Sequence, residues 1–396
     1  MSDPIRIRMY NVGFGDCFLL FLPTDNGVRK VLIDCGTIKQ NRHRIAKIAK
    51  QVIADITDQD DVPRVDVLIL SHRHKDHLSG FDAEAWSKVQ VGEVWMPWVE
   101  SPTDQDARRL RKEQDAAAQG IRAVASLFAL GDTVTEIAGN ALDGADNLEF
   151  VRTGFVKEPS YLPKGRGIVE EVEAPLLPGI DVFVMGPPRD PNALRNPHPP
   201  TEQTLLSGYL HGVQPGGRVA QKFHPFGSDW VEEYPNRIVD EAQLQQAASM
   251  VDLYELAAAE LDADINNTSL ILMFKVGQHY LLFPGDAQWG PWEKLFEDDN
   301  AVELLKKASF IKISHHASHN GSPATLMREI LGAENHQQGK VYAMISVTTR
   351  GNWPIPHEPV LALLKSRNYP FVRSDAFVPQ QQVKKNRDIW YELTLP

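Results

Sequence analysis

His72, Arg73, His74, Lys75, Asp76 and His77 place three imidazoles and a carboxylate within six consecutive positions. Imidazole nitrogens and carboxylate oxygens suit a borderline divalent ion, zinc first, with manganese or iron as alternatives. One tetrahedral centre cannot take four ligands from a single short loop. The spacing therefore predicts two adjacent ions, with His72 and His74 on one and Asp76 and His77 on the other. Two further segments offer donors of the same kind. Phe283-Pro284-Gly285-Asp286 ends an apolar run in a carboxylate, which can bridge two cations because each oxygen binds one. Ile313-Ser314-His315-His316-Ala317-Ser318-His319 runs a β-branched stretch into histidines, and one of His315 and His316 is expected to complete the second ion. Adjacent residues at a strand end face opposite ways, so the choice between them stays open. Two such ions acidify a water that can attack phosphorus or a carbonyl, with Asp76 and Asp286 orienting the nucleophile as well as binding metal. His319 and His357 are candidates for contacting substrate or protonating the leaving group.

Each ligand segment follows a run that reads as a buried strand. Val65-Asp66-Val67-Leu68-Ile69-Leu70-Ser71 leads straight into His72, and Leu78-Ser79-Gly80 is a tight exit. Ligands on a loop at a strand's end are where α/β layers keep their active sites. Upstream, Ile5–Val12, Cys17–Leu22 and Val28–Asp34 read as strands, separated by Gly-rich turns. A helix is predicted at Arg42–Ile56, a strand at Val91–Pro97 and a long helix at Asp104–Leu130. From 131 to 240 Pro and Gly crowd the chain, and long loops or an inserted subdomain are expected around one strand at Ile180–Met185. A helix at Asp240–Leu261 restores order. Strands at Ser269–Val276, His279–Phe283, Phe310–Ser314, Val341–Val347 and Ile389–Leu395 then alternate with helices near Gln288–Glu297, Pro323–Leu331 and Pro359–Ser366. Two strand-rich halves, each adding helices, predict an α/β sandwich of two sheets with helices outside.

The 396 residues can bury one large core, and a 42% hydrophobic, 23% charged composition is that of an ordinary globular chain. A net charge of −11 argues against a protein that coats nucleic acid through a broad basic surface, but not against a nucleic-acid substrate, because metals supply positive charge locally. Cys17 and Cys35 are the two cysteines, which rules out a disulfide framework. The N-terminal residues carry charges and no apolar core of a leader, and no stretch is long enough to span a membrane. The expectation is a cytoplasmic chain.

The motifs taken together resemble the metallo-β-lactamase-fold hydrolases, and within them the metal-binding domain of ComEC-type competence proteins. The matching pieces are Asn11-Val12-Gly13-Phe14-Gly15-Asp16, Leu32-Ile33-Asp34-Cys35-Gly36, Leu70 to His77, Asn266-Asn267-Thr268-Ser269-Leu270, Phe283 to Asp286, Ile313 to Ser318, and Pro356-His357-Glu358-Pro359-Val360-Leu361. They lie within 5–97 and 266–395, so a single domain with an inserted helical and loop region at 98–265 is expected. The resemblance implies an αββα sandwich with two metals at one edge of the paired sheets, supporting roles for Asp34 and Asp16, and Asp286 as the bridge. It also marks a departure. Many relatives carry a further histidine at the place that Asn266-Asn267 hold here and that the ComEC-like branch fills in the same way, which leaves Asn267 as a weak ligand at most and the first ion one strong donor short. His198, His211 or His224 of the insertion could substitute.

That branch is associated with DNA degradation, so a phosphodiesterase or nuclease acting on DNA, RNA or a nucleotide is expected first. Basic groups at Arg42–Lys50, Arg108–Lys112 and Lys384–Arg387 could hold phosphates. Hydrolysis of a carbon ester, lactone or amide is the alternative, since the same centre does both and fold alone does not discriminate. A third reading is a metal-stabilised interaction module of a bacterial multi-protein system, with protein partners bound through the insertion.

Overall fold

The computed structural model describes residues 3–38, 42–128, 132–155, 158–205, 256–335, 341–348, 355–376, 382–386 and 388–395. Along the chain the strands are β1 (Ile5–Tyr10), β2 (Phe18–Thr24), β3 (Gly27–Ile33), β4 (Arg64–Ile69), β5 (Gln90–Pro97), β6 (Ser160–Leu162), β7 (Glu170–Val172) and β8 (Ile180–Gly186). They continue with β9 (Ile271–Val276), β10 (His279–Phe283), β11 (Phe310–Lys312), β12 (Tyr342–Ile345), β13 (Phe371–Arg373), β14 (Val383–Asn386) and β15 (Trp390–Leu395). One sheet runs β14-β15-β1-β2-β3-β4-β5-β6 and the other β13-β12-β11-β10-β9-β8-β7. The last long strand closes beside the first, with Ile5 opposite Leu395.

Strand alternation explains why both faces of each sheet are dry. Ile7, Met9, Phe18, Leu20, Val31, Val67 and Ile69 meet Val184, Leu272, Phe274, Leu281, Phe283 and Phe310 between the sheets. The residues one step out of phase, such as Leu19, Leu32 and Leu68, pack on Ile45, Ile48 and Val52 of the helix Arg42–Ile56. On the far side Met273, Leu282 and Ile311 pack on Trp292, Leu295, Val360 and Leu364, from the helices Trp289–Phe296 and Glu358–Ser366. Period-two burial with apolar residues on both faces is what a covered sheet requires. The result is the expected αββα order. Strands β3, β4 and β5 run parallel, as do β10, β11, β12 and β13, so the chain leaves β4 and β11 at carboxyl ends of parallel strands.

Three helices occupy the first part of segment 98–265: Gln105–Phe128, as expected, and then Asp132–Leu142 and Ala145–Thr153, where long loops or an inserted subdomain were expected. Thr135, Gly139 and Asn140 weaken the helical signal of the second, which is held by Val134, Ala138 and Ala141 packing on Ala118, Ile121 and Ala125. Strands β6, β7 and β8 then join the two sheets, and the first two are only three residues long, too short to display a period. Of the helix expected at 240–261, residues 240–255 lie outside the described residues, and 256–266 is helical. Among the described residues no helix is long and apolar enough to cross a membrane.

Close backbone approach fixes the loop after β4. A Cβ on Gly36 would stand 2.4 Å from the Asp76 carbonyl carbon and 2.5 Å from the His77 nitrogen. Gly36→Ala should therefore displace both residues and destabilise the fold by roughly 2–4 kcal/mol, as overpacking against immovable backbone does. A thermal melt within a degree or two of wild type would show that the loop gives way instead.

Candidate metal centre

Immediately after β3, Asp34 adopts a left-handed backbone conformation (φ 56°) that turns its side chain under the next strand's exit. Its oxygens accept hydrogen bonds from the Ser71 backbone N–H (2.7 Å), the Ser71 hydroxyl (2.6 Å) and His77 Nδ1 (2.8 Å). With Nδ1 engaged, His77 presents Nε2 to Asp286 Oδ2 at 3.2 Å. His316 is held the same way. Its Nδ1 donates to the Ser346 carbonyl at 2.7 Å, leaving Nε2 aimed at Asp286 Oδ2 (3.3 Å) and Asp76 Oδ2 (3.6 Å) with no hydrogen bond of its own. Asp76, His77, Asp286 and His316 are all buried, and one donor atom from each lies within 4.8 Å of the others.

Beside this group a second convergence forms. His72 Nε2 lies 3.1 Å from His74 Nδ1, and Asn266 Oδ1 lies 2.9 Å from the same His74 nitrogen. The other nitrogen of His72 is taken up by the hydroxyls of Ser71 and Ser269, at 3.1 and 3.2 Å. His72 Nε2, His74 Nδ1 and Asn266 Oδ1 lie close enough together to share one cation.

The electrostatics point the same way. Burial, reinforced by His77 and by each other's company, holds His72 well below the usual histidine value. Burial likewise takes His74 down to about 4, so both rings are neutral and free to ligate. Burial opposes charge on His77 as well, but Asp286, Asp76 and Asp34 overcome it and push its pKa well up. Asp76 falls to about 2 because His77 and His316 outweigh its burial. Asp286 is driven well down, against its burial, by Lys312, His316 and His77. Lys312, 2% exposed, donates to Asp286 Oδ1 at 2.7 Å and to the Gly285 carbonyl at 2.6 Å, and pairs with Asp16. Asp16 Oδ1 and Asp76 Oδ1 are buried without a hydrogen bond. Lys312 is thus paired with Asp16 and Asp286, and Asp34, Asp76 and Asp286 face His77, a set of buried carboxylates that divalent ions would also neutralise. The donor set fits the metals that the sequence implies.

The remaining sequence candidates are placed as follows. His315, His316 and Ala317 take three successive left-handed conformations (φ 45°, 53° and 64°), so the chain turns where a strand end was expected. The turn sends His316 to the carboxylates and His315 across the cavity, where its Nδ1 meets the Ser318 hydroxyl at 2.8 Å. Asn267 stands outside the cluster: its amide donates to the Leu194 carbonyl and accepts from the Gln288 N–H. Its neighbour Asn266 is the amide in the site. His319 and His357 lie ring to ring, centroids 5.9 Å apart, and neither lines the cavity. His198 pairs with Glu260 at 2.7 Å, and His211 and His224 lie outside the described residues. Lys312 and Asp262 were not anticipated. A lone lysine inside Phe310-Ile311-Lys312-Ile313 was the available signal for the first.

No known family profile matches the chain, and no curated protein is detectably similar in sequence. Among solved structures, a metallo-β-lactamase fold protein, YhfI of Bacillus subtilis, is similar at 10% identity over 94% of this chain and 98% of its own, with a TM-score of 0.37. Zn2+-bound PqqB of Methylobacterium extorquens is similar at 10% identity over 93% of this chain and 87% of its own, with a TM-score of 0.39. At that distance the chemistry has to be read from this chain's own side chains.

Proposed function

We propose that this chain is a metal-dependent hydrolase of the metallo-β-lactamase type that cleaves a phosphodiester in a nucleotide, DNA or RNA. The carrying observation is the pre-orientation of the donors. The outer nitrogens of His72, His77 and His316 are engaged by hydroxyl, carboxylate and carbonyl groups; the inner nitrogens of His77 and His316 face a buried space shared with Asp76 and Asp286, and that of His72 faces His74. Bound there, a pair of divalent ions supplies a water acidified to near neutrality and stabilises charge developing on the scissile group. Asp76 and Asp286 stay anionic and accept a hydrogen bond from the nucleophilic water, aligning it. Phe14, its ring 4.4 Å from that of His316, and Ile38 exclude bulk water from one wall. His315 also lines the cavity, with Nδ1 on the Ser318 hydroxyl and Nε2 facing Asn266 Nδ2.

The lining supports a small phosphodiester or a strand end rather than a wrapped duplex. The cavity is walled by Asn140, Asp262, Asn266 and His315, with no lysine or arginine among the described residues that line it. Of the arginines expected to grip phosphate, Arg111 is spent within the fold, donating to the Val99 and Ser101 carbonyls, and the exposed Arg109 pairs with its neighbour Asp106. Substrate charge therefore falls to the ions. Purified protein should carry two ions per chain and hydrolyse bis(p-nitrophenyl) phosphate and short single-stranded DNA, but neither nitrocefin nor an acyl lactone. Turnover of the carbon substrates alone, or less than one ion per chain, would overturn the reading.

A further inference from the structure

Asp262 comes from the segment that the family resemblance does not cover, yet its two oxygens face two members of the first ion's donor set. Oδ1 lies 3.6 Å from His74 Nε2, and Oδ2 accepts a hydrogen bond from Asn266 Nδ2 at 3.1 Å. His74 is 1% exposed and its Nε2 is without a hydrogen bond, a buried donor aimed at Asp262. A ring that ligates through Nδ1 carries its proton on Nε2, and such a proton needs an acceptor. The same carboxylate settles the amide. Rotating Asn266 by half a turn would set oxygen against oxygen at Asp262, so Asp262 keeps the amide oxygen turned towards His74. Asn266 Nδ2 also lies 3.3 Å from His315 Nε2, which favours the same orientation. Asp262 and Asn266 are four residues apart on the helical stretch 256–266, one turn along a common face. Ala258, Leu261 and Ile265 of that stretch pack on Ile121, Val134 and Ala138, which docks it over the site.

We propose that Asp262 is a positioning residue for the first metal site, holding His74 through Nε2–H and turning Asn266 so that an amide oxygen takes the place of the missing histidine. The inference rests on the two-metal reading above. It deepens that reading by assigning control of one ion, and not the other, to the inserted segment.

The test is Zn2+ binding to the full chain, by calorimetry and by competition with a chelator, for wild type, Asp262→Ala and the near-isosteric Asp262→Asn. One ion should bind about 10–100-fold more weakly in both variants, the cost typical of losing an outer partner of a ligating histidine, while the other keeps its affinity. Adding Asn266→His to Asp262→Ala should recover the tight site, because an imidazole there needs no turned amide. In Co2+-loaded protein, Asp262→Asn should speed solvent exchange of one shifted imidazole N–H resonance, that of His74. Two ions bound with wild-type affinity in Asp262→Ala would overturn the proposal, and so would equal weakening of both ions. Wild-type chain that takes up no second ion would overturn the two-metal reading itself, a result distinguishable from either.

Discussion

Asp286→Ala should leave the protein with one ion or none and lower turnover by at least about a thousandfold, equivalent to roughly 4 kcal/mol of lost transition-state stabilisation. The size follows from how many groups meet at this one carboxylate. Oδ2 faces the inner nitrogens of His77 and His316, at 3.2 and 3.3 Å, and Oδ1 holds Lys312 at 2.7 Å. Removing it takes the shared anion from between the two donor groups and leaves the lysine facing Asp16. Asp286→Asn separates these effects, since it keeps the shape and removes the charge. Metal analysis with steady-state rates on bis(p-nitrophenyl) phosphate gives the answer. Two retained ions and a rate within tenfold of wild type would refute the shared-carboxylate role.

Lys312→Met should make folding depend on metal. Without the ammonium, buried Asp16 loses its direct ion-pair partner and Asp286 is left with the imidazoles of His77 and His316, and breaking a buried pair in this way typically costs about 3–5 kcal/mol. Ions that bind the folded state return stability by mass action, about 4 kcal/mol at a thousandfold excess over Kd. The variant should therefore melt far below wild type in chelator and recover much of the difference when Zn2+ is added. Equal losses with and without metal would reduce Lys312 to a packing residue.

What could be read in advance from the residues, and what could not, divides along physical lines. The loop from His72 to His77 was legible because its donors are contiguous and follow an apolar run, and the two-sheet core because stretches such as Phe18-Leu19-Leu20-Phe21-Leu22 are apolar throughout, as strands covered on both faces must be. His315 and His316 were not separable, because the rule of opposite faces holds for extended backbone and both residues are left-handed. Asn266 and Asn267 are adjacent amides at the end of a helical stretch, and which one turns inward depends on where that stretch docks. Asp262 was invisible for the same reason: nothing local marks it, and its place is set by Leu261 and Ile265 packing on helices more than a hundred residues away.

The docking of 256–266 carries a consequence for how many ions the protein holds. Asp76, His77, Asp286 and His316 hang from the edges of two paired sheets and come together whenever those sheets do. The neighbouring set is finished by a separate helical layer. Stoichiometry is then adjustable without touching a strand: substitutions at Ala138 or Leu261, in the packing of that layer, would act as a rheostat between a one-ion and a two-ion protein. Variation in the helical layer can retune the chemistry while the sandwich beneath it stays the same.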